Sequence, residues 1–392
     1  MLQQLIDLSP DLQKLRNEGY EMQYSGGYLI IHHIPYVNPK KEIHYGSLVT
    51  PLTLNGNRTF KPDTHVIHFI GEHPCDKYGN TITAIQHSTG NQQLYPGLIA
   101  NHSFSNKPPE GYSDYYQKIS RYTDMISAPA KSIDKDVTAC TFKLINYEDE
   151  QDVFNYYDSN SSRANIQMIN GKFKNQEIAI IGIGGTGSYI LDLVAKTPVK
   201  KIHLFDGDIF LQHNSFRSPG AASKEFFREV GTNKVDYFAD IYSNMHRGIV
   251  RHSYYLTEDN LSELDRCSYV FICVDNNRVR KMIMKYLIEK GISFIDVGLG
   301  VNTVDDTLIG TLRITSATAE KNDHLHLRIS AQDDENNEYA TNIQIADLNS
   351  LNASLAVIKW KKLSKFYQDI EMEHNSSYSI NVSKIINNDS TT

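Results

Sequence analysis

The chain has 392 residues, 40% hydrophobic and 22% charged, with a formal net charge of −7, and its length exceeds what one hydrophobic core usually supports. No basic block points to nucleic acid, no apolar run approaches the roughly 18 residues of a membrane span, and no basic-then-apolar leader opens the chain, so a soluble cytoplasmic protein of two domains is expected. The four cysteines, Cys75, Cys140, Cys267 and Cys273, lack paired CxxC spacing, which argues against a disulfide framework and against structural zinc.

Residues 1–145 show short β-like runs broken by turn residues, such as YLII at 28–31 and VIHFI at 66–70, and read as an α+β domain. Residues 146–164 are acidic and polar, with Asn and Ser gathering toward 162, and read as a linker. From 165 to 370 the grammar is α/β. An apolar strand at 177–181 runs into glycines and a helix, and a second apolar run at 201–205 ends at Asp206, a βαβ unit. A buried-strand pattern at 268–274, a helix at 276–290 with Val279, Ile283 and Leu287 on one face, and a strand at 293–297 continue it. The expected fold is a Rossmann-like, mostly parallel sheet with flanking helices, preceded by a smaller α+β domain. A late helix carries Leu348, Leu351, Leu355 and Ile358, and residues 371–392 read as a mobile polar tail.

The sharpest motif is IGIGGTGS at 181–188, after a strand and opening a helix. Gly182 permits the tight turn, Gly184 and Gly185 let the backbone approach a phosphate, and Gly187 lets helix and strand pack closely. Asp206, at the end of the next strand, is placed to accept hydrogen bonds from ribose hydroxyls. These features alone divide evenly between an NAD-dependent oxidoreductase and a nucleotide-using transferase. The continuation separates them: DGD at 206–208, NSFR at 214–217, GTNK at 231–234 and VDN at 274–276. Cleaving ATP between its α- and β-phosphates asks for positioned Arg and Lys and for a carboxylate that holds Mg²⁺. A dehydrogenase has no use for Arg217, Lys234 and Asp275. Asp208 has two readings, a cap for the following turn or a place at the metal.

In this order and at these separations the motifs resemble the ThiF/MoeB/ubiquitin-activating-enzyme family over roughly residues 163–365. The resemblance implies that the glycine loop (Gly182, Gly184, Gly185, Gly187) cradles ATP, that Asp206 holds the ribose, that Asn214, Arg217 and Lys234 contact phosphates, and that Asp275 binds Mg²⁺. It also implies a homodimer in which Arg163 reaches the ATP of the neighbouring protomer. The implied reaction is adenylation of the C-terminal glycine carboxylate of a ubiquitin-like or sulfur-carrier protein, with release of pyrophosphate. A non-catalytic relative that only binds a partner is the remaining alternative. The zinc-binding CxxC pairs of many members are missing, so no zinc is expected. No cysteine follows Cys273, and the crossover segment at 320–342, where relatives carry a thioester-forming cysteine, offers only hydroxyls such as Ser330 and Thr341.

In the N-terminal half, His65, His68, His73 and Cys75 lie close in sequence, but His65 and His68 are three apart on a strand and point to opposite faces, so no metal is expected there. This half is similar to uncharacterised domains that precede ThiF-like modules in some bacterial proteins, and its turn at 72–75 faintly resembles ubiquitin-conjugating enzymes. A role in recognising the carrier protein or the next enzyme is expected of it, with a conjugating function of its own as the alternative.

Overall fold

A computed structural model of the chain describes residues 2–143, 152–156, 158–164, 166–228, 231–328 and 343–391. These form two compact units, Met1–Glu148 and Asp149–Thr392. Among the described residues no helix is long and apolar enough to cross a membrane.

The first unit opens with helices α1 (Leu2–Leu8) and α2 (Pro10–Asn17). Strands β1 (Glu21–Ser25), β2 (Tyr28–Val37), β3 (Ile43–Pro51), β4 (Leu54–Asn55), β5 (Arg58–Thr59), β6 (Val66–Ile70), β7 (Gln86–Tyr95) and β8 (Leu98–Ser105) follow, then helix α3 (Tyr115–Ile133). Six strands make one antiparallel sheet in the order β1-β2-β3-β6-β8-β7. Asp114 caps α3, its side chain accepting the Gln117 N–H at 2.7 Å. Tyr115, Ile119, Tyr122 and Ile126 recur at helical spacing and pack with Ile31, Leu48, Ile67, Phe69 and Phe104 of the sheet in one core. Lys118 sits on the same buried stripe, and its ammonium donates at 2.8 Å to the Thr50 hydroxyl and to the carbonyls of Thr64 and Val66. Cys75, in the turn after β6, is buried with its Sγ 3.3 Å from the His73 carbonyl, and burial pushes its thiol pKa up.

The second unit starts with two short helices, α4 (Ser159–Arg163) and α5 (Gln167–Asn170), and strand β9 (Glu177–Ile181). Helix α6 (Gly185–Val194), strand β10 (Lys201–Phe205), helices α7 (Gln212–Ser215) and α8 (Lys234–Tyr242) and strand β11 (Ile249–His252) follow. Next come strand β12 (Tyr269–Ile272), helix α9 (Asn277–Lys290), strands β13 (Ser293–Val304) and β14 (Thr307–Ala317), and helices α10 (Leu325–Arg328) and α11 (Ala346–Leu363). Strands β15 (Asn375–Ser379) and β16 (Lys384–Asn388) end the unit. The sheet order is β11-β10-β9-β12-β13-β14-β15-β16. The first five strands run parallel and the last three join antiparallel.

Every residue of β9 is buried because both faces of the sheet are covered. Ile178 and Ile180 pack into a core with Ile190 and Leu191 of α6 and Val357 and Trp360 of α11. Ala179 and Ile181, one residue out of phase, pack with Ile283 and Leu287 of α9. The chain winds from β9 outward through β10 to β11, then returns to place β12 on the other side of β9. The order therefore reverses between β9 and β12, where open α/β sheets form a crevice at the carboxyl ends of their strands.

The end of the chain, read from its sequence as a mobile polar tail, pairs with β14 instead. Its Asn and Ser side chains suit an edge strand: Asn375 Oδ1 accepts from the Thr315 hydroxyl at 2.8 Å, and Ser376 donates to Asn387 at 2.8 Å.

Candidate functional site

The glycine loop lies at this crevice. Gly182 takes φ +86°, and a Cβ there would stand 2.8 Å from the Cys273 carbonyl oxygen at the end of the neighbouring strand. A Cβ at Gly187 would come within 1.9 Å of the Gly182 carbonyl oxygen, so that glycine sets how closely α6 approaches the loop. Gly184 differs: it stands at the N-cap of α6 without a side-chain cap, and a Cβ there would meet nothing within 4 Å. The first N–H groups of a helix have no intrahelical acceptor, so this open space faces a ring of donors and the positive end of the helix dipole.

Asp206 follows β10 and is only 7% exposed. Its Oδ2 accepts the Ile183 N–H at 2.7 Å and its Oδ1 the Asp208 N–H at 2.8 Å, which ties the glycine loop to the DGD loop. Burial raises the Asp206 pKa, with the Lys234 ammonium opposing. Lys234, the first residue of α8, reaches Asp208 Oδ2 at 2.6 Å and Asp206 Oδ1 at 3.9 Å. Burial works to raise the Asp208 pKa, but hydrogen bonds from Lys234 and Tyr255 outweigh it and hold the carboxyl below its ordinary value. Asp208 is thus paired through its side chain, while its carbonyl accepts the Lys234 N–H at 2.9 Å.

Tyr255 went unnoticed in the sequence. Its ring covers Gly207, where a Cβ would come within 2.7 Å of it, and its hydroxyl bonds Asp208. That hydrogen bond, with the nearby charges of Asp206 and Asp275, pushes the Tyr255 pKa up to about 12. The only signal was an aromatic pair just past β11, a spacing with no chemical signature of its own.

Asn214 lies in α7, 4% exposed; its Oδ1 accepts the Leu211 N–H at 2.8 Å while its Nδ2 has no partner among the described residues. Arg217 Nε and Gln344 Oε1 are likewise buried without a partner among them. Asn349 of α11 joins these segments, accepting from the Thr186 hydroxyl at 3.1 Å and donating to the Arg217 carbonyl at 3.2 Å. Asn349 Nδ2 and Gln344 Oε1 would stand 2.1 Å and 2.7 Å from a Cβ at Gly185. Unsatisfied buried polar groups are rare in a folded protein; the donors on Asn214 and Arg217 suit an anion, and the Gln344 oxygen suits a donor.

Asp275 is exposed in the turn after β12, and Asn276 next to it caps α9, its Oδ1 accepting from Arg278 and Val279 at 3.0 and 3.1 Å. Arg280 turns inward to a buried carboxylate, Asp296. Burial, reinforced by Asp296, pushes the Cys273 thiol pKa far above its ordinary value. Arg163 ends α4, and its side chain lies outside the described residues, as do Ser330, Thr341 and the acidic run at 333–337. Among the described residues no group of three His, Cys, Asp or Glu side chains is arranged to hold a metal.

Residues 10–159 match a model described as a domain of unknown function, DUF6791. A curated relative, ubiquitin-like modifier-activating enzyme 5 of Drosophila mojavensis, is 26% identical over 160 residues, which is 36% of this chain and 38% of that protein. The chain therefore spans well under half the length of that relative. Among solved structures, E. coli MccB with ATP is 16% identical with a TM-score of 0.48, covering 71% of this chain and 82% of that one. PaaA is 14% identical with a TM-score of 0.46, covering 75% and 93%. Residues 164–379, more than half of the chain, match the model of the ThiF family, and the protein belongs to that family.

Proposed function

We propose that the chain adenylates the C-terminal glycine carboxylate of a small ubiquitin-like or sulfur-carrier protein, with Mg²⁺·ATP as co-substrate. The observation that carries this reading is the open space at Gly184, at the N-terminus of α6, taken with the partnerless donors on Asn214 and Arg217, the latter tied to Thr186 of α6 through Asn349. Membership of the ThiF family and the activating-enzyme name of the curated relative support it.

In this reading the polyphosphate lies against the N–H groups of α6, with Lys234, Arg217 and Asn214 around it and Asp206 at the ribose. The carrier carboxylate, already a nucleophile, attacks the α-phosphorus; an acyl–phosphate bond forms, the bond to the α–β bridging oxygen breaks, and pyrophosphate leaves with the electron pair. No base is required, and the protein supplies position and neutralisation of charge. The residues fit Mg²⁺ that arrives with the nucleotide, a metal usually held by one or two carboxylates plus substrate phosphates. Asp275 would hold it, and when bound it offsets negative charge on the phosphates. We further read the enzyme as a homodimer in which Arg163 completes the partner's site, and the first unit as the place where a carrier or conjugating enzyme docks.

The test is pyrophosphate exchange into ATP dependent on a carrier with a free C-terminal glycine. Asp275→Ala is expected to abolish exchange; a variant that exchanges at the wild-type rate with unchanged metal dependence overturns the assignment.

A further inference from the structure

Asp296, on β13, exposes none of its surface, and the reading above gives it no task. Two arginines converge on it. Arg313 Nη2 donates to Oδ2 at 2.6 Å, and Arg280 Nε stands 2.9 Å from Oδ1, off the N–H axis, so that this second contact is an ion pair rather than a hydrogen bond. A carboxylate is costly to bury and persists where it is paired for a purpose.

The rest of the Arg280 guanidinium shows that purpose. Nη1 donates to Asn277 Oδ1 at 2.6 Å and Nη2 to the Val274 carbonyl at 2.5 Å. Val274 and Asn277 bracket Asp275, so one planar group spans the turn that carries the exposed carboxylate. Asn276 fixes the same turn from the other side through its cap of α9. Asp296 holds the base of that fork, and Arg313 in turn bonds the Thr315 hydroxyl at 2.6 Å, which anchors the set in the sheet.

We propose that Asp296 is a positioning residue: acting through Arg280, it fixes the Val274-to-Asn277 turn and aims the Asp275 carboxylate. The inference rests on the adenylation reading, which assigns Asp275 to Mg²⁺. Magnesium demands near-ideal octahedral geometry, so the orientation of a single protein ligand governs how readily the metal is held. Partners behind a metal ligand typically change metal affinity by about 10–100-fold.

The experiment measures calorimetric binding of ATP as a function of Mg²⁺ concentration, without carrier and without turnover. Folding of each variant is checked by the fluorescence of Trp360, the only tryptophan, buried in the same unit. Asp296→Asn keeps the shape and removes the charge. Arg280→Lys keeps a charge facing Asp296 but lacks the fork; it decides the matter alone if Asp296→Asn does not fold. Both are expected to raise the Mg²⁺ concentration at half-maximal ATP binding on the order of tenfold. Arg313→Met, which leaves Arg280 on the turn, is expected to change it less than about threefold. Wild-type Mg²⁺ dependence in folded Arg280→Lys, or an equal shift in Arg313→Met, overturns the proposal while leaving the adenylation reading intact. A wild-type chain whose ATP binding ignores Mg²⁺ overturns that reading and this inference with it.

Discussion

A methyl group added at Gly187 would lie 1.9 Å from the Gly182 carbonyl oxygen, while one added at Gly184 would meet nothing within 4 Å. The two glycines therefore separate packing from binding. Gly187→Ala is expected to lower the melting temperature of the second unit. Gly184→Ala is expected to cost the second unit about 1 kcal/mol and to weaken ATP binding by about tenfold or more, because its methyl would occupy the space assigned to phosphate. Unchanged ATP affinity in Gly184→Ala would move the phosphate elsewhere. At this scale the sequence was most legible where partners fall within one run of motifs: Asp206 meets the Ile183 N–H across 23 residues and Lys234 meets Asp208 across 26. It was blind where a partner is remote. Asn349 bonds Thr186 across 163 residues, and the Asp296 contact of Arg313 crosses strands, so no short motif records either.

Helix α3 shows the same limit and gives a test of its own. Its apolar stripe predicts a buried face, yet Lys118 stands on that stripe, satisfied by three uncharged acceptors. Burial pushes its pKa from 10.5 down to about 7. In the unfolded chain the amine keeps its ordinary affinity for protons, so between about pH 7 and pH 10 the unfolded state holds more protons than the folded one. The cost of the buried charge is fully present below pH 7 and is relieved as pH rises, so the first unit is expected to gain stability over that range. The slope is at most about 1.4 kcal/mol per pH unit for one proton. Hydrogen exchange of the β2 and β6 amides in the full chain reads it, since Trp360 reports only on the other unit. Lys118→Met is expected to flatten the slope; a wild-type protein whose β6 protection falls between pH 7 and pH 9 refutes the account. Strands β15 and β16 illustrate a different gap between sequence and element. The Asn- and Ser-rich β15 has little strand propensity, and it forms because β14 offers an open edge and Thr315 offers Asn375 a partner. The parallel strands, buried on both faces, announce themselves as continuous apolar runs.

At the scale of the whole molecule the open question is whether one chain makes a complete site. Arg163 belongs to a short helix well before the glycine loop, and the family resemblance assigns it to the site of a second copy. Large apolar side chains are exposed on the segments that flank the site, among them Ile209, Leu211 and, 78% exposed, Phe216; Met168 is exposed just beyond Arg163. Such surface suits an interface, and identical chains most often pair with two-fold symmetry, which would give two equivalent sites. A chain carrying Arg163→Ala and a chain carrying Lys234→Ala should each exchange pyrophosphate poorly alone. Mixed, they form hybrid dimers in which one site lacks both residues and the other has both, so exchange should recover to about a quarter of the wild-type rate when the chains reassort freely. Recovery should grow with protein concentration and vanish when the chains are too dilute to pair. Two inactive chains that stay inactive at every ratio, or a wild-type protein fully active as a monomer, would return Arg163 to its own chain and leave the site to the residues between Gly182 and Asp275.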